Sequence, residues 1–261
     1  IDEEAAKSTG SWAIAKNGPK TDYAIVGEPT ALYPVIAHKG IDYFQIDFHG
    51  KAAHSSNPDN GVSAIYAASD YVNEIRNVLV PRYKTMEHPR VGYPTINTGL
   101  IRGSAKINSG YVLGTSDTFA GVVPDEASVW VDVRWTPAQS VETIIKDLES
   151  LNPAVVGKNP GISIEVSYIP WPRPAMEIGE GEKLTQVLYE SVKEVSPETA
   201  ELQGVSYFAD SGILYGKGNI LSIIFGPGDI AQAHSINEFV KLSEVIKAAR
   251  IYTMTALNVC R

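Results

Sequence analysis

The stretch Ile220-Leu221-Ser222-Ile223-Ile224-Phe225-Gly226-Pro227-Gly228 joins an apolar run to a glycine-rich turn. An apolar run of this length, closed by turn residues, is typical of a buried strand. The amphipathic segment from about Lys241 to Leu257 predicts a helix after it. Between them lies His234, in a loop at a strand end, where binding and catalytic residues are common. A lone loop histidine is more often a hydrogen-bonded structural group, so a functional His234 needs partners elsewhere in the chain.

The composition is that of a globular protein with one large domain or two ordinary ones, since 44% of its 261 residues are hydrophobic and 20% are charged. The net charge of −8 argues against a nucleic-acid partner, because phosphate binding needs a basic surface. No apolar run approaches the roughly 18 residues of a membrane span, so we expect no membrane partner. The single cysteine, Cys260, rules out a disulfide framework and favours a reducing, cytoplasmic compartment.

The chain opens on Ile1-Asp2-Glu3-Glu4, without a methionine or a signal-like segment, so we expect further sequence upstream. The two glutamates begin a stretch that predicts a helix with an acidic start. The segment Tyr23-Ala24-Ile25-Val26 predicts a strand, and Glu28 follows it between a glycine and a proline. Such a stiff backbone is unusual for a surface glutamate and makes Glu28 a candidate ligand.

The middle of the chain follows the order strand, helix, strand, strand, helix, strand. The predicted segments are a strand from Ile41, a helix over 61–80, strands over 93–101 and 127–135, a helix over 140–151 and a strand over 162–169. We expect Asn60 to cap the first of these helices and Ser140 to cap the second.

This order is that of the ferredoxin-like split βαβ fold. It predicts an α+β subdomain at 39–170, inserted into an outer layer made of 1–38 and 171–261. The proline cluster at 170–174 predicts a hinge between the two.

Four candidate ligands lie at the ends of predicted elements of the outer layer, namely Glu3, Glu4, Glu28 and His234. Taken singly, two acids at a helix start are usually just solvated. Together, carboxylates and one imidazole are ligands that suit zinc, cobalt or manganese. A metal site with open positions can activate water, so the pattern favours hydrolysis.

Short motifs along the whole chain then suggest a family by their order and spacing. They are Asp2-Glu3-Glu4, Val26-Gly27-Glu28-Pro29-Thr30, Ala37-His38-Lys39-Gly40, His54-Ser55-Ser56, Asp132-Val133-Arg134, Gly226-Pro227-Gly228 and Gln232-Ala233-His234. With these motifs the chain resembles the M20 family of metal-dependent amidohydrolases and peptidases, and within it most closely the acetylornithine deacetylase branch.

The resemblance implies a phosphorylase/hydrolase-like α/β zinc-peptidase catalytic domain with an inserted ferredoxin-like α+β lid that mediates homodimerisation. It implies that Glu3 is the general base acting on metal-activated water. Glu4 and His234 would bind one metal and Glu28 the other. His54 would stabilise the tetrahedral oxyanion in the site of the partner subunit.

Substrate contacts are implied for Arg134, Asp210, Ser211 and Asn108. Arg134 would bind the substrate carboxylate bidentately, although a strand arginine can equally form a structural ion pair. A loop Asp-Ser-Gly is otherwise most often a turn.

The implied reaction is hydrolysis of an N-acyl amino acid, with two zinc ions, or cobalt or manganese, per complete enzyme. Succinyl-diaminopimelate desuccinylase and dipeptidase or carboxypeptidase activities are alternatives within the family. The family's His-x-Asp motif and bridging Asp have no counterpart here, so we expect this chain alone to hold an incomplete metal site and to be inactive. An alternative of another class is a non-catalytic dimerising module.

Overall fold

The computed structural model describes residues 8–105 and 121–260, and the chain divides into two units. The outer unit comprises the described residues up to Ile41, the segment His88–Gly92, and the described residues from Arg173 onward. The inserted unit comprises Asp42–Glu87 and the described part of Tyr93–Pro172. None of the helices in these residues is both long enough and apolar enough to cross a bilayer.

The described residues form both strands and helices. The strands are β1 (Tyr23–Val26), β2 (Val35–His38), β3 (Gly40–His49), β4 (Thr95–Ser104), β5 (Glu126–Trp135), β6 (Ser163–Arg173), β7 (Met176–Glu177), β8 (Gln203–Val205) and β9 (Leu221–Ile224). The helices are α1 (Thr9–Asn17), α2 (Ala64–Glu74), α3 (Val80–Lys84), α4 (Val141–Glu149), α5 (Asn152–Lys158), α6 (Lys183–Val195), α7 (Ser211–Gly218) and α8 (Leu242–Val259). A π-helical segment, Ile75–Leu79, joins α2 to α3.

The outer unit is built on a mixed sheet with the strand order β1-β9-β2-β7, in which β8 also pairs with β2. Strands β1 and β9 are parallel, in register from Tyr23↔Leu221 to Val26↔Ile224. Leu188 of α6 and Ile251 of α8 belong to the same buried cluster as Ile223 of β9. Each such side chain contributes about 1.5–3 kcal/mol by leaving water, so this cluster fixes both helices on the sheet.

The inserted unit has the predicted ferredoxin-like topology. Its sheet order is β4-β5-β3-β6, which places the fourth strand of the unit beside the first, then the third and the second. Alternate residues of β3, including Phe44, Ile46 and Phe48, are buried, and so are Val129, Val131 and Val133 of β5. This alternation is the signal that made the unit predictable from sequence, because successive side chains of a strand point to opposite faces.

The helix caps were predicted with mixed success. Ser140 caps α4 as expected, since its hydroxyl accepts a hydrogen bond from the Thr143 amide at 3.3 Å. The prediction for Asn60 is wrong. Asn60 ends a short 3-10 turn, and Ser63 caps α2 instead by accepting a bond from the Tyr66 amide at 3.3 Å. The helix therefore begins three residues later than its apolar spacing suggested.

The proline cluster at 170–174 lies mostly within a strand. β6 continues to Arg173 and forms an edge of its sheet, where prolines are tolerated because no partner needs their missing amide. The boundary between the two units falls within the cluster, after Pro172.

The segment His88–Gly92 interrupts the inserted unit in sequence but packs within the outer unit. Arg90 Nη1 donates a hydrogen bond to the carbonyl oxygen of Leu202 at 2.9 Å, and its guanidinium also pairs with Glu180. The sequence did not predict this excursion, because the partners of Arg90 lie far along the chain.

Candidate metal and substrate site

Two loops of the outer unit meet beside the sheet. Because β1 and β9 are parallel neighbours, their carboxyl ends open on the same edge. Glu28 follows β1, and Gly226 follows β9. A Cβ atom at Gly226 would overlap the backbone carbonyl of Glu28, so only glycine allows these backbones to come so close. We call residues 27–30 and 226–228 together the loop pair.

Thr30 fastens the loop pair. Its buried hydroxyl donates to the carbonyl oxygen of Gly226 at 3.2 Å and accepts from the Gly226 amide at 3.1 Å. The Ala31 amide also donates to the carbonyl of Gly228, at 2.7 Å. The sequence motif contained Thr30, but this clamp could be identified only once its partner was known.

Helix α8 holds the other side of the loop pair. Gly228 has a positive φ of 90° and its amide donates to a carboxylate oxygen of Glu244 at 3.0 Å. This bond, helped by Lys241, keeps the pKa of Glu244 below its ordinary value. The loop pair is thus hydrogen-bonded on both sides.

A cavity of about 450 Å³ opens beside the loop pair. Its lining includes the carboxylate-bearing residues Glu28, Asp229 and Glu238, together with Gln232 and Phe239. Three acidic residues around one cavity favour a cation over an anion as its occupant.

His234 lies just beyond Gln232-Ala233, is exposed, and has a left-handed backbone with φ of 61°. A non-glycine residue in this region costs on the order of 1–3 kcal/mol and is often found at functional sites. In residues 8–105 and 121–260, no group of three or more His, Cys, Asp or Glu side chains is arranged to hold a metal. Of the expected metal ligands, only Glu28 and His234 are among these residues, since Glu4 lies outside them.

The expected base Glu3 and the expected substrate contact Asn108 also lie outside the described residues. His54 is described and lies on the surface of the inserted unit, where its backbone bridges to Val122. Its Nδ1 accepts from the Ser56 amide at 3.2 Å. In the neutral imidazole the proton must then be on Nε2, which leaves Nε2 as a hydrogen-bond donor.

Arg134 lies on β5 of the inserted unit and is half-exposed. Its Nε donates to Asp132 at 3.0 Å and its Nη2 to the other Asp132 oxygen at 3.4 Å. A substrate carboxylate at Arg134 would therefore share the guanidinium with Asp132 or displace it.

Asp210 and Ser211 lie at the start of α7 in the outer unit. One carboxylate oxygen of Asp210 accepts a hydrogen bond from the Ser11 hydroxyl of α1. Its other oxygen and the Ser211 hydroxyl are buried, and neither has a partner among the described residues. We call residues 206–212, which lead into this helix, the α7 entry.

Two further groups around the α7 entry were not assigned roles from the sequence. His38 is fully buried, and desolvation lowers its pKa to about 4. Its Nδ1 donates to the Lys39 carbonyl at 2.9 Å, and Phe208 packs edge-on against its ring. The Tyr207 hydroxyl is also buried; burial, with a smaller effect of the Glu28 charge, raises its pKa to about 12.

The comparisons with known proteins agree on one family. Residues 36–160 match the family model described as M20 dimerisation, the peptidase dimerisation domain. The resemblance to the M20 family that the sequence motifs predicted is therefore confirmed.

Curated relatives align with almost the whole chain. Acetylornithine deacetylase of Myxococcus xanthus is 26% identical over 261 residues, and that of Vibrio cholerae serotype O1 is 28% identical over 261 residues. In both cases the alignment covers 99% of this chain but 63% of the relative, so the chain spans less than two thirds of their length.

Solved structures show the same fold at low identity. Aminopeptidase PepT of Bacillus cereus has a TM-score of 0.72 at 17% identity, covering 100% of this chain and 63% of that one. An M20 family metallo-carboxypeptidase, Sso-CP2 of Sulfolobus solfataricus, has a TM-score of 0.61 at 18% identity, covering 98% and 68%. The predicted fold class, an α/β unit with an inserted ferredoxin-like unit, is confirmed.

Proposed function

From the M20 dimerisation domain of residues 36–160 and the M20 fold of the chain, we propose a metal-dependent hydrolase that removes the acyl group from an N-acyl amino acid. The observation that carries the proposal is the loop pair, which brings Glu28 beside the loop that leads to His234. The alignment with acetylornithine deacetylases over 99% of the chain supports an acetylated amino acid as the substrate.

The donor set fits a zinc site, with cobalt or manganese as alternatives. Glu28 and His234 supply a carboxylate and an imidazole, the ligands that zinc prefers apart from thiolates. The acidic lining of the cavity fits a cation as well. Because two described residues cannot complete a site, we propose that Glu4 is a further ligand. When bound, the metal would polarise the amide carbonyl and lower the pKa of a water molecule.

We propose roles for the remaining residues from the chemistry of their side chains. Glu3 would take a proton from the attacking water and pass it to the leaving amine. His54, whose Nε2 is a donor, would bind the oxyanion in the partner subunit's site. Arg134 would bind the substrate carboxylate through its planar guanidinium. Asp210, Ser211 and Asn108 stay predictions as substrate contacts.

The proposed assembly is a homodimer formed through the inserted unit. β4 forms an edge of its sheet and exposes 36% of Leu100 and 48% of Ile101. An exposed apolar strand edge favours pairing with another chain.

Cys260, the chain's single cysteine, is exposed and unpaired, which supports our proposal of a cytoplasmic protein.

Hydrolysis of N-acetyl-L-ornithine tests the reaction directly. We expect the full-length protein with added zinc or cobalt to release the free amine, and we expect Glu28→Gln to lose at least about a hundredfold in turnover together with bound metal. Glu238→Gln is the matched control, because Glu238 lines the same cavity without a proposed ligand role.

Several results would redirect the proposal. Turnover of succinylated substrates or dipeptides in place of N-acetyl-L-ornithine would change the substrate class. Absence of both turnover and bound metal in the full-length protein would favour the non-catalytic dimerising module.

A further inference from the structure

Tyr207 of the α7 entry has a buried hydroxyl that no other described residue contacts by a hydrogen bond. The oxygen is inaccessible to solvent and has no hydrogen-bond partner among the residues that the structure describes. A buried polar group without a partner destabilises the folded state, so a phenylalanine here would serve packing better. A tyrosine at this position points to an acceptor outside the described residues.

The backbone around Tyr207 is held in place from several directions. Val205 pairs with His38 at the end of β8, and Phe208 packs against the same imidazole with ring centroids 5.5 Å apart. On the other side, Asp210 is bonded to Ser11 of α1. Tyr207 therefore lies on a loop whose neighbouring residues are held in position, which is what a binding site requires.

The surroundings of Tyr207 identify the kind of ligand. The Glu28 carboxylate is near enough for its charge to raise the pKa of Tyr207, and Glu28 belongs to the loop pair. A tyrosine phenol has an ordinary pKa of about 10, so it is protonated at neutral pH and acts as a hydrogen-bond donor rather than a nucleophile. A neutral donor close to the proposed metal site suits an oxygen atom of the substrate.

We propose that Tyr207 contacts the substrate, donating a hydrogen bond to an oxygen of its acyl group. This inference rests on the proposed function, because the acyl group lies beside Glu28 only if Glu28 belongs to the reaction site. The acceptor would be the carbonyl oxygen of the bond that is cleaved, and the bond would strengthen as negative charge develops on that oxygen.

The test is Tyr207→Phe in the full-length protein with N-acetyl-L-ornithine as substrate. We expect kcat/KM to fall by at least about tenfold, mainly through kcat, because the bond strengthens in the transition state. Metal content should not change. The melting temperature without substrate should equal or exceed that of the wild type, because the variant removes an unpartnered buried hydroxyl.

Tyr252→Phe is the matched control. The Tyr252 hydroxyl donates to the Phe225 carbonyl, so its removal breaks a structural hydrogen bond. This variant should melt at a lower temperature while the folded enzyme keeps its kcat. Tyr207→Phe should therefore lower turnover without lowering the melting temperature. Tyr252→Phe should lower the melting temperature without lowering kcat.

A Tyr207→Phe variant with wild-type kcat and KM would overturn the inference while leaving the proposed function intact. A lower melting temperature with unchanged turnover would instead show that the hydroxyl is structural. If the wild type hydrolyses nothing, calorimetric binding of N-acetyl-L-ornithine decides. Equal affinities of wild type and variant would then overturn the inference, and clearly weaker binding by the variant would support it.

Discussion

The loop pair and the α7 entry belong to the same unit but differ in how far their buried polar groups are hydrogen-bonded. In the loop pair, Thr30 and Glu244 bond the amides and carbonyl at Gly226 and Gly228. Around the α7 entry, four buried polar atoms have no partner among the described residues. They are His38 Nε2, Tyr207 Oη, Asp210 Oδ1 and Ser211 Oγ.

This difference is the one expected between a structural scaffold and a ligand-binding site. A satisfied network makes a loop rigid, which suits the positioning of metal ligands. An unpartnered buried group destabilises the fold by about 1–3 kcal/mol, and it tends to persist where it meets a ligand or has another role. Mutations in the loop pair should therefore change mainly the free energy of unfolding. A mutation of Tyr207 should change mainly the turnover of substrate.

The largest stability effect is expected for Gly226→Ala. The new Cβ would overlap the Glu28 carbonyl oxygen, which is a backbone atom and cannot turn aside as the end of a flexible side chain could. We expect a loss of about 3 kcal/mol in the free energy of unfolding, measured by urea titration. Gly157→Ala is the control, since a Cβ there meets no atom within 4 Å, and it should be neutral or slightly stabilising. Equal effects of the two changes would contradict the tight contact of the loop pair.

Low pH should destabilise the protein through His38, whose ring packs against Phe208 of the α7 entry. The pKa of the buried imidazole is about 4, below its ordinary value of 6.5, so the unfolded chain binds more protons between these values. Stability from this group is complete above pH 6.5 and is lost as pH falls, by about 2 kcal/mol between pH 7 and 5.

His38→Gln should remove this part of the pH dependence, measured by urea titration at several pH values. His49→Gln is the matched control, because His49 is exposed on β3. A pH dependence in His38→Gln equal to that of the wild type would show that His38 does not remain neutral in the fold.

The smallest of these effects is expected for Thr30→Val. The change keeps the side-chain shape but leaves the amide and carbonyl of Gly226 without the hydroxyl. We expect a loss of about 1–2 kcal/mol in thermal or urea unfolding. Thr21→Val is the comparison, since Thr21 is exposed and bonds only the nearby Tyr23 carbonyl. A loss no greater than that of Thr21→Val would mean that the clamp contributes nothing to stability.

The inserted unit was the part of the fold most accessible to sequence reasoning. Its long strands alternate buried and exposed residues, as Phe44, Ile46 and Phe48 show, and Ser140 caps the helix where expected. The outer sheet was harder, because β2, β7 and β8 contain only four, two and three residues. No periodicity can be established over so few positions.

Helix α7 was missed for a different reason. Glycines at 212, 216 and 218 lower its helix propensity. Gly212 is required by packing, since a Cβ there would lie 2.8 Å from His38 Cε1. Likewise, motif order could suggest Glu28 and His234, but whether the Tyr207 hydroxyl has a partner depends on residues distant in sequence. Such facts become visible only in three dimensions.

The excursion of His88–Gly92 determines how the two units could be separated. The chain passes between them at four places, after Ile41, Glu87, Gly92 and Pro172. A deletion that joined Ile41 directly to Arg173 would also remove Arg90, and with it the hydrogen bond to Leu202 and the pair with Glu180. The outer unit is thus assembled from three stretches of sequence. An exchange of the inserted unit between relatives must therefore keep the five residues His88–Gly92 of the outer unit in place.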